Sequence, residues 1–362
     1  MIIFLGAGAS NTFGIPTTKG FISLFETEVG ENELYKDVKA GIVKDLLDLE
    51  SLMSVIDDLS KPEAELLRFM SPYTSRFLMK KLEETGNRYY EKAGINEKAK
   101  ELLHLLKKII RRECFAAVRD RRPLIVDTYD AFFDGAEKLV SSRTLLGHTQ
   151  RYYPSKISIF TTNYDTCVET YFNANGIDFA QGIEQRWGYN IFNVDAYKES
   201  IVEVAKLHGS VDLFKKGEDI RQFQVSAADY EATITYLGED LGEEFMVWPI
   251  ESSGARHATQ SPYLDLYSLF RSRLVRELSY DKPVLLLVGS SFRDLTITSI
   301  MNEALRLQKK GPRPNVILID REAKKRKEKI REDNFATLAD LVTPIEGEFG
   351  AADVFQQLAT MS

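Results

Sequence analysis

Short apolar runs that end at glycine or at polar residues alternate along the chain with stretches of helical spacing. The first run, Ile2–Leu5, is wholly apolar and leads into glycines, which is typical of a buried parallel strand. Similar runs occupy 156–163, 283–291 and 315–320, and a helix is predicted from about 295 to 307. This alternation indicates an α/β fold with a Rossmann-like, doubly wound parallel sheet.

Residues 31–145 depart from this pattern. Apolar side chains recur there at three- and four-residue intervals, as in 49–59 and 102–110. Almost no segment of this region has the hydrophobic pattern of a strand. We therefore expect a single domain, 1–362, that carries a large helical insertion at 31–145. The other predicted strands lie in 200–211, 245–250 and 341–347, and the other predicted helices in 19–29, 165–176, 261–278 and 351–359. Pro16 and Thr17 suit the start of the first of these helices.

Composition favours an ordinary globular protein. The 362 residues are 44% hydrophobic and 28% charged, and the net charge of −7 gives an overall field that does not favour a polyanion. The start of the chain lacks the basic region of a signal peptide, and no apolar run is long enough to cross a membrane. We expect a cytoplasmic protein that does not insert into a membrane.

The two cysteines, Cys114 and Cys167, lie far apart in the sequence and form no Cys-x-x-Cys pair. Two thiols are too few for a four-cysteine zinc site, and nothing indicates a disulfide framework. We expect no bound metal.

A glycine turn follows the first strand. Gly6 and Gly8 permit a tight turn and a close approach of the backbone to a ligand, and the start of a following helix suits a phosphate. The dinucleotide fingerprint would place a third glycine at position 11, which is Asn11 here. An ordinary strand–helix turn remains the alternative.

Polar residues also end two other predicted strands. Asn163 and Asp165 follow 156–163, at the carboxyl edge where open α/β sheets bind ligands, although either side chain can instead cap the next helix. Gly289, Ser290 and Ser291 end the most apolar run, and their hydroxyls suit ribose or phosphate oxygens, with helix capping again the alternative.

His208 is the histidine best placed for chemistry. It follows a β-type run and precedes Gly209, and imidazole is the side chain best matched to proton transfer near neutral pH. His104 lies in a helical stretch, and His148 and His257 lie in polar loops, so surface or packing roles are expected for these three.

The order of these motifs resembles the sirtuin family. Four motifs follow one another over 1–20 and about 155–320, outside the helical block. They are Gly-Ala-Gly with a serine, then Asn with Asp, then His-Gly, and finally Gly-Ser-Ser. The resemblance implies NAD as the ligand. The family's motifs fall on Gly6, Ala7, Gly8, Ser10, Asn163, Asp165, His208, Gly289, Ser290 and Ser291.

Two departures argue against protein deacylation. Gly14-Ile15-Pro16 matches the family, but Thr17-Thr18-Lys19 stands where deacylating sirtuins have Asp-Phe-Arg, and the four-cysteine zinc module is missing. The chain is more similar to the sirtuin-like effectors of bacterial anti-phage systems, which hydrolyse NAD. An enzyme that drains NAD must be silent in healthy cells, so we expect control by homo-oligomer assembly or by another protein, with 31–145 forming those contacts. The resemblance implies a companion such as a hexameric ATPase of the DNA-translocase type or another defence protein.

The resemblance also implies a role for each site residue. Asp165 would hold the nicotinamide carboxamide, Asn163 the ribose or a water, and His208 would accept a proton. The turn that contains Gly6, Ala7, Gly8 and Ser10 would cradle the pyrophosphate, and Gly289 with Ser290 would face the ribose.

Two further hypotheses stay open. Basic segments at 107–122 and 321–333 are compatible with a nucleic-acid-binding protein or a nuclease component of a defence complex, although glutamates interleave the second segment. A sensor that binds NAD or ADP-ribose without turnover is the other alternative.

Overall fold

A computed structural model gives the architecture of the chain. It describes residues 1–42, 47, 49–63, 65–66, 70–140, 143–146, 151–154, 156–186, 189–198, 200–216, 219–222, 243–246, 262–278, 283–308 and 313–361. Within these residues no helix combines the length and the apolar character that crossing a membrane requires.

A six-stranded parallel sheet forms the core of the protein, which confirms the predicted fold class. Its strands are β1 (Ile2–Leu5), β2 (Ile157–Thr161), β3 (Val202–Lys206), β4 (Val284–Val288), β5 (Asn315–Asp320) and β6 (Val342–Glu346). Their order across the sheet is β6-β5-β4-β1-β2-β3, and every neighbouring pair is parallel. This is the Rossmann order, with its switch point between β1 and β4.

The helices are named here in chain order. They are α1 (Ala7–Asn11), α2 (Thr18–Val29), α3 (Glu33–Gly41), α4 (Leu49–Leu59), α5 (Pro72–Thr85), α6 (Ile95–Asp120), α7 (Arg122–Glu137), α8 (Cys167–Ala174), α9 (Tyr263–Glu277), α10 (Leu295–Leu307), α11 (Ala323–Glu332), α12 (Ala336–Leu341) and α13 (Ala352–Thr360).

Alternate side chains of the strands pack into different layers. Phe4 and Leu287 join one buried cluster with residues of α9, α10, α11 and α12, such as Phe270 and Met301. A second group is aromatic: Tyr129 of α7 lies 5.8 Å, between ring centroids, from Tyr171 of α8. Helices on the sheet's flanks bury strands that are apolar along their whole length, which explains their continuous apolar runs.

Short antiparallel strands accompany the central sheet. Gly209–Lys216 pairs with both Asp219–Gln222 and Glu243–Met246 in a three-stranded sheet. Two hairpins pair Arg143–Leu146 with Arg151–Pro154, and Ile183–Arg186 with Tyr189–Phe192. The strand predicted at 245–250 is therefore found as Glu243–Met246, and positions 247–250 lie outside the described residues, as do His148 and His257.

Contacts divide the chain into two compact units. The first comprises Met1–Ile15, Cys114–Met246 and Pro262–Ser362, and the second comprises Pro16–Glu113 and Val247–Ser261. The described part of the second unit contains α2 to α5 and most of α6. The helical insertion at 31–145 stays a prediction: α3 to α7 lie within that range, and α7 packs with α8 and α13 inside the first unit.

The first helix begins earlier than the sequence indicates. The pattern predicts a turn after Gly6 and a helix only from about Thr17, whereas α1 starts at Ala7 and α2 follows at Thr18. Gly6 has the extended conformation of an N-cap, so β1 passes directly into α1. The side chain of Thr17 accepts a hydrogen bond from the Gly20 N–H and begins α2 as predicted.

Candidate active site

Four predicted motifs begin at one edge of the central sheet. The residues Val288, Leu5, Thr161 and Lys206 lie side by side in register, and each is the last residue of its strand. The Gly289 turn, the Gly6 turn, the Asn163 loop and the His208 segment therefore leave the sheet together. This is the carboxyl edge, at the switch point where doubly wound sheets bind ligands.

The two glycine turns pack backbone against backbone. Gly8 N–H donates to the carbonyl of Gly289 at 3.0 Å. Gly289 has φ +60°, and a Cβ placed there would lie 2.5 Å from the Cα of Gly8. The close approach that the sequence assigns to a ligand is thus made, in the described residues, between the two turns.

Ser10, Asn163 and Asp165 form one buried hydrogen-bonded group, which we call the amide cluster. Ser10 Oγ donates to Asp165 Oδ2 at 2.6 Å, and Asn163 Nδ2 donates to Ser10 Oγ at 2.8 Å and to the carbonyl of Gly6 at 2.9 Å. Both amide hydrogens of Asn163 are therefore used. Within the described residues Asn163 Oδ1 has no hydrogen-bond partner, so it remains an acceptor.

Asp165 is held on both carboxylate oxygens. Besides the bond from Ser10, Oδ1 accepts the N–H of Cys167, the first residue of α8, at 3.0 Å. Thr166 is the N-cap of α8, so Asp165 meets the capping alternative only in part: one oxygen binds the start of the helix from the position before the cap, while the other serves the amide cluster. Lys206 Nζ donates to the backbone carbonyl of Asp165 and so anchors the loop to the end of β3.

Lys206 also forms a buried ion pair with Glu169 of α8, with 3.0 Å between Nζ and Oε1. Burial alone lowers the pKa of Lys206, but the carboxylates of Glu169, Asp165 and Asp212 outweigh burial and hold it above its ordinary value. Burial raises the pKa of Glu169 to about 7, against the opposing attraction of Lys206. A permanent positive charge therefore lies beside Asp165.

His208 pairs with a residue that the sequence analysis did not single out. Its Nε2 lies 3.0 Å from Oδ2 of Asp294, and the side chains are 4% and 15% exposed. Asp294 is the N-cap of α10, and its other oxygen, Oδ1, accepts the N–H of Ile297 at 2.9 Å. We call these two residues the His–Asp pair.

The His208 segment is bound to the Asn163 loop by its backbone. Leu207 N–H donates to the carbonyl of Thr161 at 2.8 Å, and Val211 N–H donates to that of Tyr164 at 3.0 Å. After His208 the chain turns at Gly209, which has φ +80°.

Hydrogen bonds join the four segments into a closed ring. The Gly289 turn contacts the Gly6 turn, the Gly6 turn contacts the Asn163 loop, and that loop contacts the His208 segment. The His–Asp pair closes the ring, because His208 binds Asp294 in the loop that follows Gly289. All these residues belong to the first compact unit.

The other predicted site residues differ in exposure. Ala7 is exposed, while Gly8, Gly289 and Ser291 are half-buried. Ser290 is buried, and its Oγ accepts the N–H of Phe292 at 3.4 Å. Neither serine caps α10, because Asp294 does.

Two residues of the site had a local signal that the sequence analysis did not use. Asp294 directly precedes the helical pattern of α10, which is the signature of an N-cap. Lys206 is a charged residue at the end of a buried strand, a position that requires a partner. Neither signal identifies the partner, since Glu169 and His208 are distant in sequence.

Carboxylates pair with most basic side chains of the segment 321–333 and with two arginines of the segment 107–122. Arg112 pairs with Glu28 and Glu113, and Arg119 pairs with Asp120. Ion pairs along α11 and its flanks join Arg321 to Glu348, Lys324 to Glu346, Lys325 to Glu322, Lys329 to Asp333, and Arg331 to Glu328 and Asp340. This pattern favours a solvated helix face over a nucleic-acid surface.

No group of three or more histidine, cysteine, aspartate or glutamate side chains is close enough to hold a metal ion within the part of the chain that the structure describes. Burial raises the pKa of the Cys167 thiol well above its ordinary value, so this cysteine beside the amide cluster stays protonated.

A comparison with known protein families gives one match. A model described as a SIR2-like domain matches residues 157–338, which is half of the chain. The matched span contains Asn163, Asp165, His208 and the Gly289 turn, and β1 with the Gly6 turn precedes it. No curated protein matches the chain significantly.

Proposed function

The chain belongs to the SIR2-like family, whose domains are generally NAD-dependent enzymes, and from this premise we propose that it is an NAD⁺ hydrolase. It would cleave the bond between nicotinamide and ribose and release nicotinamide and ADP-ribose. The observation that carries the proposal is the closed ring, which brings an acceptor amide, a carboxylate and an imidazole to the switch point of the sheet.

The residues at this edge fit a dinucleotide. Asn163 is buried, its Oδ1 is an acceptor with no partner among the described residues, and this oxygen suits a ribose hydroxyl or a water. Ala7 and Gly8 bring accessible backbone to the switch point, where a pyrophosphate is expected. The hydroxyl of Ser10 is committed to Asp165, so we assign Ser10 to positioning the amide cluster beneath that backbone.

The proposed reaction replaces the bond from ribose C1′ to nicotinamide by a bond from C1′ to a water oxygen. Positive charge develops on the sugar, as in glycoside hydrolysis, and one proton of the water must go to the protein. His208 accepts that proton, or the proton of a ribose hydroxyl. Asn163 holds the water or the ribose, and Asp165 holds the carboxamide of nicotinamide.

Turnover of NAD⁺ by the purified chain tests this proposal, with nicotinamide and ADP-ribose measured by chromatography. We expect His208→Ala to lower turnover by about 10²–10⁴-fold, the range for a lost general base. Asn163→Ala should also lower turnover, because it removes the group that holds the water or the ribose. His104→Ala, an exposed position on α6, is the matched control and should retain turnover.

Unchanged turnover in either site variant would remove that residue from the mechanism. Binding of NAD⁺ or ADP-ribose without any turnover by the wild-type chain would instead favour the sensor hypothesis.

We also propose that this activity serves defence against phage by draining cytoplasmic NAD. The support is the resemblance of 48–59, 206–214, 261–270 and 289–297 to anti-phage effectors. An enzyme of this kind must be silent in a healthy cell, so a homo-oligomer or a companion ATPase of the DNA-translocase type would control it. Sedimentation velocity of the full chain, alone and with a companion, measures such assemblies.

A further inference from the structure

The His–Asp pair joins two loops that leave the sheet from different strands. His208 follows β3 and Asp294 follows β4, and β1 and β2 lie between these strands in the sheet. The pair therefore spans the strand ends at which the amide cluster lies. No local sequence pattern requires such a contact, because the two residues are 86 positions apart.

Asp294 is fixed through one carboxylate oxygen and through its backbone carbonyl. Oδ1 accepts the Ile297 N–H at 2.9 Å, and the Thr298 hydroxyl donates to the Asp294 carbonyl at 2.8 Å. Oδ2 is then directed at His208 Nε2, at 3.0 Å. Because α10 is a helix of 13 residues, its N-cap is a rigid support for this carboxylate.

A carboxylate can only accept hydrogen bonds, so His208 must carry a proton on Nε2 to make this contact. In the neutral ring the second nitrogen, Nδ1, then has the free electron pair. Nδ1 makes no hydrogen bond to any residue that the structure describes, and it is the nitrogen left to accept a proton.

We propose that Asp294 is the positioning residue of His208, which fixes its ring orientation and holds the proton on Nε2 so that Nδ1 acts as the base. This inference rests on the proposed hydrolase function, because it specifies how His208 is prepared for its role. Triads of the serine hydrolase type use a carboxylate in the same way to select one histidine tautomer.

Two substitutions separate this role from helix capping. In Asp294→Asn the amide oxygen still caps α10, but the NH₂ group then faces Nε2 and favours the tautomer with the proton on Nδ1. Asp294→Ser also keeps a good cap but removes the group that reaches His208. If Asp294 acts only as the helix cap, both variants should keep near-normal turnover of NAD⁺.

The first measurement is the tautomer of His208, from long-range ¹H–¹⁵N spectra of the full chain labelled at histidine. The chain has four histidines, and His208→Gln assigns the signal. We expect the proton on Nε2 in the wild type and on Nδ1 in Asp294→Asn. A wild-type ring protonated on Nδ1, or a tautomer that Asp294→Asn does not change, overturns the proposal.

The second measurement is steady-state NAD⁺ turnover. We expect kcat of Asp294→Asn and Asp294→Ser to fall by about 10²–10⁴-fold with little change in KM, since only the base is affected. Asp340→Asn, which removes an exposed carboxylate paired with Arg331, is the matched control.

Turnover within about threefold of the wild type in both Asp294 variants overturns the proposal. If the tautomers behave as expected but the wild type has no turnover, alone or with a companion protein, the orientation by Asp294 is supported and the hydrolase function is rejected.

Discussion

At the scale of single residues, the polar groups beneath the site are placed in a low-dielectric interior. Most of them are paired, as buried polar groups must be, and Asn163 and Asp165 owe their positions to such bonds. Glu169 is paired on one oxygen only: its Oε1 binds Lys206, while Oε2 is buried and has no hydrogen-bond partner among the described residues. A carboxyl group in that environment retains its proton to a higher pH than usual.

Glu169 should therefore make stability depend on pH. Its pKa is raised from 4.5 to about 7, so its contribution to the free energy of unfolding is complete below pH 4.5 and is lost as the pH rises toward 7. We expect urea unfolding of the wild type to show this loss, at about 1.4 kcal/mol per pH unit within that window. Glu169→Gln should lack this part of the pH dependence.

The control is Glu348→Gln, which removes an exposed carboxylate in a surface pair with Arg321. It should unfold with the pH dependence of the wild type. Parallel stability curves for Glu169→Gln and the wild type between pH 4.5 and 7 would show that Glu169 titrates normally.

At the scale of elements, the geometry of the site depends on how the ends of parallel strands are turned. The row that ends in Val288, Leu5, Thr161 and Lys206 brings four loops to one edge. Glycine at 289 allows the first two loops to touch through their backbones. This contact fixes the distance between the Gly6 turn and the loop that contains Asp294.

Gly289→Ala tests the contact between the two turns. A Cβ there would overlap the backbone of Gly8 and Ala9 and would also sit at φ +60°. We expect a loss of about 1–2 kcal/mol from the left-handed backbone and a further loss from the overlap, together with loss of NAD⁺ turnover. Urea unfolding and the turnover assay measure the two effects.

Gly14→Ala is the matched control for the backbone contribution. Gly14 has φ +83° in the same compact unit, but no atom lies within 4 Å of a Cβ placed there. It should lose only the roughly 1–2 kcal/mol of the left-handed conformation and keep its turnover. Equal stability losses in the two variants would mean that the turns can separate without cost.

At the scale of the whole molecule, the distribution of charge separates what the hydrolase and nucleic-acid hypotheses predict. The chain carries a net charge of −7, and the cations of α11 lie beside carboxylates. Binding to duplex DNA draws mainly on unpaired lysine and arginine side chains at phosphates. The paired surface of α11 provides little of this attraction.

We therefore expect the chain to bind duplex DNA no more tightly than about 10⁻⁶ M at physiological salt, as measured by fluorescence anisotropy. The double variant Glu328→Gln and Asp340→Asn removes both partners of Arg331 and should bind DNA more tightly. Nanomolar binding by the wild type with a steep salt dependence would favour the nucleic-acid hypothesis.

The sequence by itself determined the strands and much of the residue content of the site. β1 and β4 are wholly apolar and β5 is apolar between Asn315 and Asp320, so these buried strands stand out from the pattern. The helix at Leu295–Leu307 is where its periodicity predicts it. Because parallel strands align their carboxyl ends, motifs that follow such strands are expected to meet. The local sequence pattern and this general rule together predict that four segments meet at one edge of the sheet, namely those of Gly6, Asn163, His208 and Gly289.

Only the tertiary structure decided which side chains bond to one another. Ser10 and Asp165 are 155 positions apart, and His208 and Asp294 are 86 apart. The sequence shows that Asp294 can cap a helix and that His208 can move a proton, but not that one carboxylate serves both. That pairing depends on the order of the strands and the angle of α10, which arise from packing over the whole sheet. Hydrogen bonds act over about 3 Å, so their partners are known only once the chain has folded.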